Sequence, residues 1–293
     1  MKTTNKLLFE LQDGVYDSCI EAVTGSGSDS RMRESLEAAL HGFEGDFGQM
    51  EVSVYSAPFA VPLLGEFTEP QNGAVLSAAI DSELILVICE SEDKMVHLYS
   101  EAKGLIELDP WGLKRNENEV RSEKGLVRGI LSELKQRGYE IGGFNAYILG
   151  RAPFDIDEIY VPTLEVLLTR AIYELFNSGE LSKYELAEIG QGASNSHYDI
   201  PSGIARQLAA EMGGISFADF KRPGIPISSK VAGEALPRDY RIVLTQLYPK
   251  AILNERTDID ALGDVARELR QAAGVIGTGV LRDVPNDVVI EHS

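Results

Sequence analysis

The chain is poor in the residues that build covalent or metal-held frameworks. Its 293 residues include two cysteines, Cys19 and Cys89, four histidines and one tryptophan. Two cysteines give no disulfide framework, and His41, His97, His197 and His292 are scattered, without metal-ligand spacing to one another or to a cysteine. Cations are also scarce: 27 Lys and Arg against 46 Asp and Glu leave a formal charge of −19. Nucleic-acid binding needs Lys and Arg to neutralise phosphates, so that class is set aside, and anionic membrane surfaces with it. Solubility is the plain role of such a charge. No apolar run approaches the roughly 20 residues of a membrane span. The opening residues meet acid at Glu10, without the apolar core and cleavage site of a signal peptide, so a reduced, cytoplasmic protein is expected.

Hydrophobic residues at 44% and charged residues at 25% are ordinary globular values. Residues 5–23 carry one helical stripe (Leu8, Leu11, Val15, Cys19, Val23), broken by the Gly/Ser run after it. Arg31–Phe47 reads as an amphipathic helix with Met32, Leu36, Leu40 and Phe43 inward. Leu84–Cys89 is a strand-like apolar run, with Met95–Tyr99 as its expected hairpin partner. Val120–Arg137 is a helix and Phe144–Leu149 a strand. Pro162 is placed in the first turn of the next helix, Ser182 and Glu185 form a capping box, and Pro201 opens a helix closed by Gly213 and Gly214. Strands near Ile215–Phe220 and Tyr240–Leu247, a helix over Thr257–Ala273 and a short strand near Val280 follow. Helices and strands without strict alternation make the class α+β.

The chain is organised around Ser56–Asp81. Val52 and Val54 lead into an extended segment ending at Ala57-Pro58. A loop follows around Gly65, and the chain returns through Gly73 into an apolar run. Pro58 and Pro62 forbid a helix, while Gly65, Asn72 and Gly73 permit tight turns. Glu66 and Glu69 place two carboxylates in the loop. This stretch resembles, without a gap, the first signature of the galactokinases, within the GHMP family of small-molecule kinases. The resemblance extends to Gly142–Tyr147 and to Ile189–Gln207, and framework matches from Ala57 to Gln207 keep their order and spacing. It implies a GHMP kinase architecture, with an N-terminal domain over residues 1–212 and an incomplete C-terminal domain over 213–293. It also implies ATP- and Mg2+-dependent phosphorylation of galactose at C1.

The chemistry departs from that pattern. The family's phosphate loop supplies glycines and backbone N–H groups at a helix N-terminus. Here the matching positions, Pro153–Val166, lack those glycines and serines and carry Asp155, Asp157 and Glu158. Carboxylates repel a triphosphate and offset the helix dipole, so ATP binding is not expected; capping the helix is their simplest role. The family arginine that stabilises the phosphoryl group falls at Ala60. The family aspartate that engages the sugar hydroxyl falls at Arg206, which cannot accept a proton; a helix-surface arginine pairing with nearby acids is its simplest role. The resemblance keeps Glu66, Glu69 and Gly203 in sugar-contacting positions, but puts Phe67 and Pro62 at polar ones. The Gly-rich third signature has no counterpart.

The resulting expectation is a galactokinase-family protein with impaired catalysis, with no intact metal or nucleotide site, that binds galactose, a related sugar or a protein. Two alternatives stand beside it. One is a metal-dependent enzyme using Glu66, Glu69 and the Asp155–Glu158 loop; the other is a ligand-free scaffold or homodimer module.

Overall fold

A computed structural model describes residues 1–24, 29–101, 103–150, 152–153, 157–199, 203–222, 224, 226–231, 242–245, 255–282 and 284–291. The chain starts with a two-residue strand, β1 (Lys2–Thr3), and a helical layer of α1 (Thr4–Gln12), α2 (Asp17–Thr24) and α3 (Asp29–Phe47). The single helical stripe expected over residues 5–23 is divided by a turn in which Gly14 takes φ +74°, so two short helices replace one.

Two long strands follow, β2 (Glu51–Leu64) and β3 (Ala74–Glu90), paired antiparallel. β2 runs on through Pro58 and Pro62 instead of ending at the first, with a register shift after each. Proline removes a ladder donor but keeps extended φ, so a strand with one free side tolerates it. Beyond Val52, where β1 ends, β3 is the one described strand paired with β2.

Next come β4 (Val96–Ser100), β5 (Gly104–Leu108), α4 (Glu123–Gln136) and β6 (Phe144–Leu149). β4 pairs with β5 and, in parallel, with β6, which lies against β3. The expected hairpin between β4 and the Leu84–Cys89 run is therefore absent: β6 inserts between them and takes their ladder positions. The helices α5 (Asp157–Phe176), α6 (Lys183–Ala193) and α7 (Ala205–Met212) precede β7 (Ile215–Asp219) and β8 (Ile227–Lys230). Both of these strands follow residue 212 and yet extend the same sheet, β7 pairing with the start of β3. The last described elements are α8 (Glu255–Val275) and α9 (Asn286–Glu291). Val280 lies outside any strand, and described residues 242–245 form none; the rest of the strand expected at 240–247 lies outside the described residues.

The sheet is mixed and carries helices on both faces, the arrangement of an α+β chain. One face buries Phe59, Leu84, Leu86 and Phe144 against α4 and α5; the other buries Ile85 and Val87 against Leu40 and Phe43 of α3. This alternation along β3 explains why Leu84–Cys89 reads as one continuous apolar run: it is covered on both sides. No described helix is long and apolar enough to cross a membrane.

α6 carries the expected capping box: Ser182 Oγ accepts from Glu185 N, and the Glu185 carboxylate accepts from Ser182 N at 3.0 Å. Ser182→Ala will lower stability by about 1 kcal/mol. Urea unfolding measures it, and a loss below a few tenths would mean that solvent serves those amides equally well.

Candidate functional site

The loop between β2 and β3 is built by backbone constraints. Gly65 has φ +78°, and a Cβ there would stand 2.0 Å from the Ala74 carbonyl oxygen, so the loop closes only over glycine. Thr68 fastens it, its hydroxyl donating to Gly65 O at 2.6 Å, while Gly73 N donates to Thr68 O at 2.8 Å. Glu69 then points away from solvent to the start of α7, where Oε1 accepts from Ala205 N at 3.3 Å. Its second oxygen is buried with no hydrogen-bond partner, and burial raises its pKa. A Cβ on Gly203 would lie 2.3 Å from Glu69 Oε1, so glycine at 203 makes room for this carboxyl.

Opposite the loop stands α5. The helix starts at Asp157, a turn earlier than expected, which places Pro162 inside it. Proline has no N–H, so the carbonyl four residues back, that of Glu158, loses its helical partner. Arg206, on α7, fills the vacancy: its Nη1 donates to Glu158 O at 2.7 Å. The same guanidinium pairs through Nη2 with the Glu66 carboxylate and lies over the Phe67 ring, 5.7 Å from its centroid. One side chain thus joins loop, helix α5 and helix α7.

Glu66, Glu69, Asp157, Glu158, Gly203 and Arg206 line one cleft, with Phe67, Pro62 and Pro162 among its apolar walls. With Arg206 in its seat, about 50 Å³ of space remains between them, room for a few waters. The sequence-predicted residues are therefore brought together, with two exceptions. Ala60, on β2, is buried in the core and is absent from the lining. Asp155 lies outside the described residues, as does Pro201. Asp157 and Glu158 occupy the first turn of α5, where acids complement the helix dipole. Among the described residues, no three His, Cys, Asp or Glu side chains converge as a metal site requires.

Below the cleft lies a further, buried carboxyl. Glu165 of α5 is fully buried; Ser194 Oγ donates to its Oε1, and Gln207 Nε2 donates to its Oε2 at 2.8 Å. Burial pushes its pKa from 4.5 to about 8. Its signal is a charged residue inside the run Leu164–Leu168, every member of which is buried. His197, in the turn that ends α6, bonds Ser196 Oγ through Nδ1 at 2.8 Å and Leu113 O through Nε2 at 3.0 Å, away from the cleft lining.

The chain is similar in sequence and fold to known proteins. A family model described as "Galactokinase galactose-binding signature" covers residues 41–89. The galactokinase of Lactococcus lactis subsp. lactis (strain IL1403) is 30% identical over 260 residues, 80% of this chain and 63% of that protein. That of Staphylococcus carnosus (strain TM300) is 32% identical over 171 residues, 56% of this chain and 42% of its own length. The crystal structure of Lactococcus lactis galactokinase complexed with galactose superposes with TM-score 0.69 at 26% identity, covering 86% of this chain and 65% of that one. Methanococcus jannaschii mevalonate kinase, at 17% identity and TM-score 0.51, shares the fold. The chain spans less than two thirds of the length of these galactokinases.

Proposed function

This chain is a galactokinase-like member of the GHMP kinase family, and we propose that it binds a hexose of the galactose type in the cleft without phosphorylating it. The observation that carries this reading is the Arg206 bridge. Glu66, Glu69 and Gly203 hold positions that the family uses for sugar, and they share one wall of the cleft. Phosphoryl transfer needs a nucleotide triphosphate and a group to position the attacking hydroxyl. The residues here do not fit either. The α5 N-terminus presents the Asp157 and Glu158 carboxylates, and the guanidinium of Arg206 stands in place of a proton acceptor. The catalytic arginine position is the buried Ala60.

A thermal-shift series with galactose, Mg-ATP and both tests the reading. Galactose at about 100 times its dissociation constant will stabilise the protein by about 2.7 kcal/mol. Mg-ATP will add nothing, and no galactose 1-phosphate will form. Stabilisation by Mg-ATP, or phosphate incorporated into sugar, overturns the loss of transfer; absence of any galactose response overturns the sugar site.

A further inference from the structure

We infer that the cleft is a cation receptor, and that the hexose it takes best carries an ammonium group, entering by exchange with the Arg206 guanidinium. This rests on the reading above that a hexose occupies the cleft.

Three acceptors of different origin converge on one point. The first is the Glu66 carboxylate. The second is the Glu158 carbonyl, which Pro162 deprives of its helical donor. The third is the face of Phe67, whose negative quadrupole attracts a cation. A backbone carbonyl freed inside a helix must find a donor, so this part of the receptor is fixed by the fold and does not depend on the acids around it. The structure shows it filled by a cation, that of the chain itself. Arg206 is also the sole cationic residue among the described lining residues, against Glu66, Glu69, Asp157 and Glu158.

Arg206 holds Glu66 Oε1 and the Glu158 carbonyl together, so a sugar can take that seat only if Arg206 withdraws. A neutral sugar then leaves the cleft with uncompensated negative charge and the Glu158 carbonyl short of a donor, both of which cost free energy. An amino sugar carries a replacement: its ammonium has three N–H donors and the charge that Arg206 removes. The guanidinium itself moves into solvent, where its charge is hydrated. Cation exchanges for cation, and the carboxylates of the cleft stay compensated.

Isothermal titration calorimetry of the full chain at mildly acidic pH, with D-galactosamine, D-galactose and N-acetyl-D-galactosamine, tests this. Galactosamine will bind about ten-fold more tightly than galactose, a difference of about 1.4 kcal/mol. N-acetylgalactosamine, which has the substituent without the charge, will show none of that gain. Added salt will reduce the preference, and Glu66→Gln, checked for folding by circular dichroism, will erase it. Equal affinity for galactosamine and galactose, or a preference that survives Glu66→Gln, overturns the inference while leaving the hexose site standing. Absence of binding by all three sugars overturns the hexose site itself.

Discussion

Gly65→Ala will destabilise the protein by about 3 kcal/mol, read as a shift of the urea midpoint at unchanged slope. Two costs add. The φ of +78° at Gly65 lies in the left-handed region that a Cβ disfavours, and that Cβ would stand 2.0 Å from the carbonyl oxygen of Ala74. The obstructing atom belongs to Ala74, the first residue of β3, which pairs with Asp219 of β7 two residues before the β2 ladder begins at Leu64–Leu76, so it cannot retreat without opening the β7 ladder. Gly203→Ala is the informative contrast. Its Cβ would meet the Glu69 side chain at 2.3 Å, and a side chain can turn away. It will cost less stability but move Glu69 off the Ala205 amide, weakening any ligand that Glu69 holds. A loss below about 1 kcal/mol for Gly65→Ala would show that the loop has slack the geometry denies.

The second large effect is on pH. The folded state holds the Glu165 proton up to about pH 8, against the ordinary value of 4.5. Between those values the folded protein binds more protons than the unfolded chain, so stability falls as pH rises. The slope is at most about 1.4 kcal/mol per pH unit. Glu69 and Glu123, both raised by burial, act in the same direction. Glu119 and Asp219, lowered by hydrogen bonds from Arg128 and from the Lys221 amide respectively, act oppositely and lose their contribution under acid. The melting temperature will therefore peak near pH 5 and decline toward 8. Glu165→Gln replaces the carboxyl by an amide of the same shape: its carbonyl can accept from Gln207, and the Ser194 hydroxyl can rotate to accept its N–H. The variant will flatten the alkaline decline. A wild-type profile level from pH 5 to 8 would mean that Glu165 ionises without cost, against its burial.

What the sequence made legible follows from which interactions are local. The capping box at Ser182 and the close of α7 before Gly213 depend on a few neighbouring residues and appear where expected. The strand partner of β4 does not: it is decided by β6, which lies some fifty residues further along the chain, and no local pattern encodes that competition. The same distinction divides the site. Glu66, Glu69 and Gly203 are recognisable by their setting in two stretches that resemble galactokinase sequences, but the fastening of Glu69 to Ala205 is a contact between residues 136 apart in the chain. The start of α5 differs from the sequence expectation because proline at the first turn is the favourable case, whereas here tertiary packing tolerates it a turn deeper. That displacement is what frees the Glu158 carbonyl, and so what gives Arg206 its seat.

The two prolines of β2 also bear on how the molecule behaves in company. Past Val52, β2 has β3 on one side and no further described strand on the other, an arrangement that invites a strand from a second molecule. Pro58 and Pro62 interrupt that invitation, since neither has an amide proton to offer an incoming chain, and the register shifts beside them twist the strand out of line. A fibril could not zip along this margin for more than a few residues at a stretch. The residues that bring the chain to the Glu66–Glu69 loop thus also guard it against its own kind when crowded.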